Sequence, residues 1–336
     1  MQYRFLGRTG VQVSPICLGC WMFGGKASRG ESAAIIDRAI DRGINFLDTA
    51  NAYQKGLSEE YVGATLSKNG KRQQIVLATK VHFRVSEDDP NAFGNSRRHI
   101  LEQCETSLRR LRTDYIDLYQ IHRPQSEVPI DETLQALDDL VRAGKVRYVG
   151  TSNFAAWQLV ESLWASRELR LNRFVSEQPA YNLLDRRAER ELLRMARTYD
   201  VAILPWSPLA GGLLTGKYRR DTPPPSDSRF VNAANDPLLR PRLHAGVLEV
   251  CEALDPLAEE KGCTLSQLSL AWCACQPGVT SPIIGPRTVN QLEDNLGALE
   301  VKLSQDDLGR IDSIVPPGRM ISPFYEADFG PHRHRW

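Results

Sequence analysis

The segment that decides the fold is YIDLYQIH, residues 115–122. It is short, apolar and rich in Ile, Leu and Tyr, and it follows a stretch, residues 100–111, whose apolar residues recur at helical spacing. Ser96 is placed to cap that helix at its N-terminus. A strand that follows an amphipathic helix is the repeating unit of a parallel β/α architecture.

The same alternation continues in both directions along the chain. The other predicted strands are residues 16–19, 44–48, 75–80, 146–151, 174–178, 201–206 and 280–284. Eight strands separated by helices predict the α/β class and, within it, a single (β/α)8 TIM barrel. A doubly wound dinucleotide-binding sheet has the same alternation, but it carries Gly-x-Gly-x-x-Gly after its first strand, and that fingerprint is missing here.

Two segments lie outside the repeating units. Residues 3–6 and 11–14 flank Gly7-Arg8-Thr9-Gly10, which predicts an N-terminal β-hairpin that caps one end of the barrel. After the seventh strand, an irregular segment that contains Pro223-Pro224-Pro225 predicts a long functional loop. We interpret residues 1–336 as one domain, with the hairpin cap at 1–14, the barrel at 15–300, and a C-terminal segment and tail at 301–336.

The composition of the chain argues against some classes of binding partner. The chain is 42% hydrophobic and 25% charged, and Lys+Arg 42 against Asp+Glu 41 leave a formal net charge of +1. Such a balance gives no general attraction to nucleic acid or to an anionic membrane. The N-terminus lacks the apolar segment of a signal peptide, and no apolar run is long enough to span a bilayer. We therefore expect a cytoplasmic protein with neither nucleic-acid nor membrane partners.

The pattern of cysteines indicates that their side chains pack in the core. Seven cysteines, scattered through apolar segments, favour reduced and buried thiols over a disulfide framework. Cys17-Leu18-Gly19-Cys20 has the C-x-x-C spacing, but on a strand these two side chains point to opposite faces. No second Cys/His pair stands nearby at zinc-site spacing, so we predict no metal site.

Four polar residues follow three successive predicted strands: Asp48 and Tyr53 the second, Lys80 the third and His122 the fourth. In a barrel the C-terminal strand ends surround one mouth, where the active sites of this fold lie. Carbonyl reduction needs an acid that protonates the nascent alkoxide. A tyrosine beside a lysine ammonium meets that need, because the cation favours the phenolate. Asp48 would keep Lys80 charged, and His122 would hydrogen-bond the carbonyl oxygen.

Each of these residues also has an ordinary structural interpretation. Asp48 can cap a turn, Tyr53 can be a loop aromatic, Lys80 a solvated strand end and His122 a core histidine. Their convergence on one predicted mouth favours catalysis.

Three motifs resemble those of a known family: FLDTANAY at 46–53, ATK at 78–80 and QIHRP at 120–124. They resemble the signatures of the aldo-keto reductase superfamily, in the bacterial-type branch close to the potassium-channel β-subunit-like reductases. The likeness extends to about Leu303. The resemblance implies reduction of an aldehyde or ketone by a nicotinamide cofactor that lies across the barrel mouth. The catalytic set that it implies is Asp48, Tyr53, Lys80 and His122.

The resemblance also assigns residues to the cofactor. Ser152, Asn153 and Gln178 match positions beside the nicotinamide carboxamide, and Trp206 matches an aromatic residue that stacks on the nicotinamide ring. GGLLTGKY at 211–218 nearly spells a Walker A motif, but a tyrosine stands where the magnesium-binding Ser or Thr would be. The other residues implied for the cofactor are Trp21, Asp48, Ser207, Pro208, Leu209, Gly211, Lys217, Arg229, Gly285, Arg287, Gln291, Asp294 and Asn295.

The choice between NADP and NAD depends chiefly on Arg287. An arginine at a helix N-terminus suits the 2′-phosphate of NADP, while Lys217 and Arg229 supply charge to the pyrophosphate. Arg229 can equally be an ordinary surface cation. Many members of the family have lysine or serine in this stretch, so NADP is the preferred cofactor and NAD stays open.

The substrate pocket is predicted from aromatic residues at the mouth. Trp21 and Phe23 after the first strand, and His82 and Phe83 after the third, are candidates for its lining. Together with Tyr53 and His122, the rings of Trp21 and Phe83 suggest a site for a small aldehyde, ketone or sugar carbonyl.

Two other classes of function stay open at this point, as does a homo-oligomer. One is a regulatory subunit that senses the nicotinamide nucleotide with little turnover, and the other is a nonenzymatic barrel scaffold. An intact Tyr53/Lys80 pair argues against the scaffold. The tail, residues 324–336, is predicted either to close over the substrate or to fray.

Overall fold

The computed structural model describes residues 1–231 and 239–322. The predicted tail at 324–336 therefore lies outside the described residues. Two short antiparallel strands, Arg4–Phe5 (β1) and Gln12–Val13 (β2), precede a sheet of eight parallel strands. The parallel strands are Cys17–Gly19 (β3), Phe46–Asp48 (β4), Val76–Val81 (β5), Ile116–Ile121 (β6), Val146–Ser152 (β7), Phe174–Gln178 (β8), Ala202–Ile203 (β9) and Ile283–Ile284 (β10).

The parallel sheet closes on itself as a barrel. Its strands follow one another in chain order from β3 to β9, and β10 pairs with β3. On the other side of β10, the backbone N–H of Thr280 donates to the carbonyl of Ile203 at 2.8 Å, and that of Ile283 donates to Pro205 at 2.8 Å. The predicted (β/α)8 barrel is thus confirmed.

All eight predicted strands are present, and the last two are shortened most relative to the prediction. The strand predicted at residues 201–206 is observed as β9 at Ala202–Ile203. The strand predicted at 280–284 is observed as β10 at Ile283–Ile284. Pro205 and Pro282 lie in these segments, and proline has no N–H to donate to a sheet ladder. Regular pairing is therefore interrupted where the barrel closes.

Helices surround the sheet. They are Arg29–Asp41 (α1), Leu57–Asn69 (α2), Arg97–Leu111 (α3), Ile130–Arg142 (α4), Ala156–Glu168 (α5), Leu192–Tyr199 (α6), Ala245–Glu260 (α7), Leu265–Cys275 (α8), Val289–Leu296 (α9) and Gln305–Ile314 (α10). The predicted cap of α3 is confirmed, because the Ser96 hydroxyl accepts the backbone N–H of His99 at 3.3 Å. Among the described residues, none of the helices has both the length and the apolar character that a membrane span requires.

The core has two layers, one inside the barrel and one between the strands and the helices. Side chains from the inner face of the strands, such as Phe46 and Leu118, fill the barrel together with Leu6 and Val13 of the N-terminal segment. The predicted hairpin therefore closes the N-terminal end of the barrel. Cys17 belongs to the inner layer and Cys20 to the outer one, as expected for opposite faces of a strand. All seven cysteines are free.

The turn of the hairpin is fitted closely against the barrel. Gly7 has φ +54°, and a β-carbon added there would lie 2.5 Å from the carbonyl oxygen of Val175. Gly10, in the same turn, has no atom within 4 Å of such a β-carbon. We therefore expect Gly7→Ala to lower the free energy of unfolding by about 1–3 kcal/mol, as strained backbone positions do. Gly10→Ala is the control.

Urea denaturation measures both variants. Equal stability of the two would show that the hairpin turn is not constrained by its contact with β8.

Candidate active site

The polar residues predicted for the site lie on one rim, at the C-terminal ends of the strands. Asp48 ends β4, Lys80 is the penultimate residue of β5, His122 follows β6 directly, and Gln178 ends β8. The register places Asp48 opposite Ala78, two residues before Lys80 on the same face of β5. The structure thus brings the predicted catalytic residues together.

Lys80 is the centre of this arrangement. Its side chain is 1% exposed. The ammonium forms an ion pair with Asp48, donates to the carbonyl oxygen of Thr49 at 2.9 Å and donates to the hydroxyl of Tyr53 at 3.1 Å. Burial lowers the pKa of Lys80, but the charges of Asp48 and Tyr53 and the hydrogen bonds to them outweigh it, so the pKa is raised overall. Lys80 is therefore an ammonium whose three protons all have acceptors.

Asp48 is held by two amides on its other side. Its Oδ2 accepts Nε2 of Gln120 at 3.0 Å and Nε2 of Gln178 at 2.6 Å, and Gln178 also donates to Oε1 of Gln120 at 2.9 Å. Sequence reasoning placed Gln178 beside the cofactor and missed Gln120. The signal for Gln120 was a glutamine two residues before His122 in an apolar strand, hence on the same face of that strand.

Tyr53 begins a short 3-10 turn, Tyr53–Gly56, between β4 and α2. The next two residues, Gln54 and Lys55, have φ +49° and +56°, a left-handed conformation that costs about 1–2 kcal/mol per residue. Gly56 follows at φ +96°, and a β-carbon there would lie 2.4 Å from the guanidinium carbon of Arg110. A strained backbone segment thus follows Tyr53 directly, in the turn that leads into α2.

The pKa of Tyr53 is raised, although the sequence predicts that Lys80 lowers it. Burial of the hydroxyl raises it above the usual value, and the negative charge of Asp48 adds to that effect, while Lys80 acts in the lowering direction. The prediction that Lys80 lowers the pKa of Tyr53 is therefore wrong for the net shift, because desolvation outweighs the cation. The phenol is protonated at neutral pH.

His122 stands beside Tyr53 and is uncharged. The two rings are edge to face with centroids 5.7 Å apart, and the Phe83 ring contacts His122 from another side at 4.7 Å. Burial, joined by the positive charges of Lys80 and Arg123, puts the pKa of His122 well below its usual value. Its Nδ1 is buried and has no hydrogen-bond partner among the described residues. A neutral imidazole here can donate one hydrogen bond to a ligand.

The predicted pocket aromatics divide into two groups. Trp21 is 47% exposed at the rim, and Phe83 is partly exposed against His122. Phe23 is fully buried in the outer core, so its assignment to the pocket is wrong. His82 is buried and pairs through Nδ1 with Oδ1 of Asn95 at 2.8 Å, which ties the loop after β5 to the start of α3.

Two of the residues assigned to the nicotinamide amide lie in the turn that ends β7: Ser152 is the last residue of the strand, and Asn153 is in the bend that follows. Asn153 has φ +65°, and its Nδ2 donates to the Ser152 hydroxyl at 2.6 Å and to the carbonyl of His122 at 3.3 Å. The indole N–H of Trp206 donates to Oδ1 of Asn153 at 3.1 Å. Trp206 is partly exposed, which sets it apart from a core indole. The turn thus joins His122 to the ring predicted to stack on the cofactor.

The segment after β9 carries further residues assigned to the cofactor. Ser207, Gly211 and Gly212 all have positive φ, at +52°, +65° and +103°. Ser207 also accepts Nδ2 of Asn182 at its carbonyl, 3.1 Å away. Pro208 is buried and Leu209 partly exposed. These residues form a compact glycine-rich loop at the mouth.

Positive charge collects beside this loop. Burial lowers the pKa of Lys217, and the charges of Arg287 and Arg229 add to that effect. Burial likewise lowers the pKa of Arg229, with Arg242 and Arg287 acting in the same direction. The guanidinium of Arg229 also lies 4.8 Å from the centre of the Trp21 ring. Neighbouring cations that disfavour each other's charge form a site suited to phosphate groups.

Of the residues at 284–295 that the resemblance assigns to the cofactor, only some lie near the cluster of Lys217 and Arg229. Arg287 donates to the carbonyl of Asp227 at 3.0 Å and approaches its carboxylate at 3.3 Å. The side chain of Gln291 accepts the backbone N–H of Arg287 at 2.8 Å. Gly285 is exposed and Asn295 is buried. Asp294 instead accepts from the N-terminal end of α8, from the capping residue Thr264 at 3.3 Å and from Gln267 at 3.2 Å, so it also serves helix packing.

Residues 15–316 match the model of the aldo/keto reductase family. The chain belongs to this family. It is 41% identical over 327 residues to the oxidoreductase YrpG of Bacillus subtilis (strain 168), which covers 95% of this chain and 97% of the relative. It is 38% identical over 320 residues to a probable voltage-gated potassium channel subunit beta of Arabidopsis thaliana and to another of Oryza sativa subsp. japonica, each match covering 94% of this chain and 97% of the relative.

Membership in the aldo/keto reductase family confirms the resemblance drawn from the three motifs and supports an oxidoreductase. The geometry adds four groups to which the motifs by themselves assign no role: the Gln120 amide, the Thr49 carbonyl, and the side chains of Arg123 and Glu177. Their signal in the sequence is weak, because each is a single polar residue in or beside an apolar strand.

The burial of His82 makes the free energy of unfolding decrease in acid. Burial lowers its pKa from 6.5 to about 4. An unfolded chain therefore binds more protons than the folded one between these values, and the contribution of neutral His82 is lost as the pH falls through this window. We expect the loss to reach about 3 kcal/mol in the wild type and to be absent in His82→Gln.

Urea titrations across the same pH range measure this difference. His99, whose pKa burial also lowers, contributes equally in both proteins. His244→Gln, at an exposed histidine, is the control. Parallel stability curves for wild type and His82→Gln would contradict the prediction.

Proposed function

We propose that this chain reduces an aldehyde or ketone to the alcohol with NADP(H), using Tyr53 as the proton donor. The observation that carries the proposal is the shared ammonium of Lys80, which donates to Asp48 and, at 3.1 Å, to Tyr53. Neutral His122 lies beside the Tyr53 ring, with the ring centroids 5.7 Å apart. A protonated phenol, a fixed cation and a neutral donor beside one opening are the groups that carbonyl reduction uses.

The proton transfer follows from these positions. Reduced nicotinamide, when bound, supplies the hydride that adds to the carbonyl carbon. The Tyr53 hydroxyl then gives its proton to the carbonyl oxygen, and its O–H bond breaks to leave a phenolate. Lys80 stabilises that phenolate through the hydrogen bond already present, while Asp48 keeps Lys80 in place. The raised pKa of Tyr53 keeps the donor protonated until the alkoxide forms.

His122 would orient the substrate. As a neutral ring it can donate a hydrogen bond to the carbonyl oxygen without competing for the proton. Two donors, from Tyr53 and His122, then define where the oxygen sits, and the hydride acceptor carbon is fixed with it.

The residues present fit a nicotinamide dinucleotide. Ser152, Asn153 and Gln178 would hold the carboxamide, and Trp206 would lie against the nicotinamide ring. Lys217 and Arg229 would bind the pyrophosphate, and Arg287 the 2′-phosphate. What supports this assignment is the clustering of the three cations, whose charges act on one another. The guanidinium of Arg287 already pairs with one anion, the carboxylate of Asp227, as it would with a phosphate.

We further propose a small carbonyl or sugar substrate, because Trp21 and Phe83 offer partly exposed rings at the rim. A cytosolic location is part of the proposal and is supported by seven free cysteines. The test is NADPH and NADH oxidation, followed spectrophotometrically against a panel of aldehydes and ketones. Absence of turnover with every member would overturn the reductase.

A second candidate is a nucleotide-sensing regulatory subunit. One observation favours it: two of the relatives are named as probable voltage-gated potassium channel β subunits. Tight NADPH binding combined with no turnover on the panel would select it over the reductase.

The first prediction from this mechanism concerns Tyr53. Tyr53→Phe keeps the ring and removes the hydroxyl, so kcat for carbonyl reduction should fall by about 10²–10⁴-fold, the usual contribution of a general acid. NADPH affinity should stay near that of the wild type, since the ring remains. Tyr61→Phe, the same change in the neighbouring helix α2, is the control. Near wild-type kcat in Tyr53→Phe would assign the proton to another residue.

The second prediction concerns cofactor choice. Arg287→Ala removes a guanidinium whose hydrogen bonds to a charged group are worth about 1.5–3 kcal/mol, so NADPH binding should weaken roughly ten- to a hundredfold. NADH, which lacks the 2′-phosphate, should be affected much less. Fluorescence titration measures both affinities, and Arg310→Ala, at an exposed arginine of α10, is the control. Equal losses for the two nucleotides would remove the basis for an NADP preference.

A further inference from the structure

Glu177 is a fully buried carboxyl in the wall of the barrel. It is the penultimate residue of β8, directly before Gln178, and none of its surface is exposed. Its side chain lies against the turn at residues 151–154, which carries Ser152 and Asn153 toward the mouth. The catalytic mechanism above does not use it.

Two hydrogen bonds join Glu177 to that turn. Its Oε2 lies 2.6 Å from the hydroxyl of Thr151, and its Oε1 accepts the backbone N–H of Phe154 at 3.1 Å. These bonds hold the two ends of the turn, and Ser152 and Asn153 lie between them. One carboxyl thus spans the segment that is assigned to the nicotinamide amide.

The geometry indicates where the proton of this group lies. The Thr151 hydroxyl is also 3.2 Å from the carbonyl oxygen of Ser176, but it has a single hydrogen to donate. If Glu177 carries a proton on Oε2, it donates to Thr151, and Thr151 donates to Ser176. Both contacts of the Thr151 hydroxyl are then hydrogen bonds. An ionised Glu177 would take the Thr151 hydrogen and leave the Ser176 carbonyl without it.

We propose that Glu177 is a positioning residue that acts as an uncharged carboxylic acid and holds the 151–154 turn in the shape that binds the cofactor. This inference rests on the proposed function, because it concerns the same nucleotide site. It matters for catalysis as well, since Asn153 in this turn contacts the carbonyl of His122 and the indole of Trp206.

The surroundings of Glu177 favour the neutral form. Burial raises its pKa to about 8, against the lowering effect of its hydrogen bonds. Arg123, after β6, is the charged group that acts on it from the neighbouring elements, and its positive charge opposes the shift. The hydrogen-bonding groups that act on the carboxyl are uncharged: the Thr151 hydroxyl and the backbone N–H groups of Phe154 and Asn153.

The pH dependence has a defined sign. Because the neutral form is the one that completes the hydrogen bonds, ionisation of Glu177 above a pH of about 8 loosens the turn. NADPH affinity should therefore fall as the pH rises through this value. At lower pH the turn should be intact.

Three variants of the full chain test this by isothermal titration with NADPH from neutral to alkaline pH. Glu177→Gln keeps the shape and a donor, so its affinity should stay within about twofold of wild type at neutral pH and lose the alkaline decline. Glu177→Ala removes both bonds and should weaken binding roughly tenfold. Asp117→Asn is the control, a carboxyl-to-amide change at the start of β6, and should keep the alkaline decline. Should Glu177→Ala fail to fold, Thr151→Val replaces it.

A second measurement needs no cofactor. The infrared difference spectrum between wild type and Glu177→Gln should show the carbonyl band of a protonated carboxylic acid at neutral pH, and the band should vanish in alkali. If the band is missing in a protein that binds NADPH, or if Glu177→Gln binds as weakly as Glu177→Ala, the role of Glu177 is overturned alone. If no nicotinamide nucleotide binds at any pH, the proposed function fails and this inference fails with it.

Discussion

The arrangement of the barrel mouth depends on one positive charge that is held out of water. Removing an ammonium from solvent costs several kcal/mol, and Lys80 is 1% exposed. The cost is offset only because a carboxylate, a backbone carbonyl and a phenol meet the three protons of Lys80. Those acceptors come from Asp48, the last residue of β4, and from Thr49 and Tyr53 in the segment that follows β4. Parallel pairing of β4 and β5 is thus what makes the buried charge tolerable.

Much of this could be predicted from the sequence, since it depends on local periodicity. The eight strands and the positions of Asp48, Lys80 and His122 at their ends follow from short apolar runs and the polar residues that close them. The errors lie where one residue changes the backbone: Pro205 and Pro282 shorten the last two strands. Phe23 was misplaced because an aromatic residue after a strand can face either the mouth or the outer core.

What the sequence could not supply is the balance between opposing effects at one atom. The pKa of Tyr53 is raised by burial and lowered by Lys80, and only the degree of burial in three dimensions decides which effect is larger. The same holds for the contact between Arg287 and Asp227, which are separated by sixty positions in the chain. Gln120 became recognisable as a partner of Asp48 only when the interior of the barrel was known.

In the part of the chain that the structure describes, the hairpin at the N-terminal end leaves the barrel with one entrance. Leu6 and Val13 fill the opposite opening, so both ligands would have to pass through the rim. The residues assigned to the nicotinamide, such as Ser152 and Asn153, are almost fully buried, whereas Trp21 is 47% exposed. A nucleotide seated on those deep groups would form the floor of the substrate pocket. Reduction would then follow a compulsory order, in which nucleotide enters first and leaves last, and the alcohol departs before it.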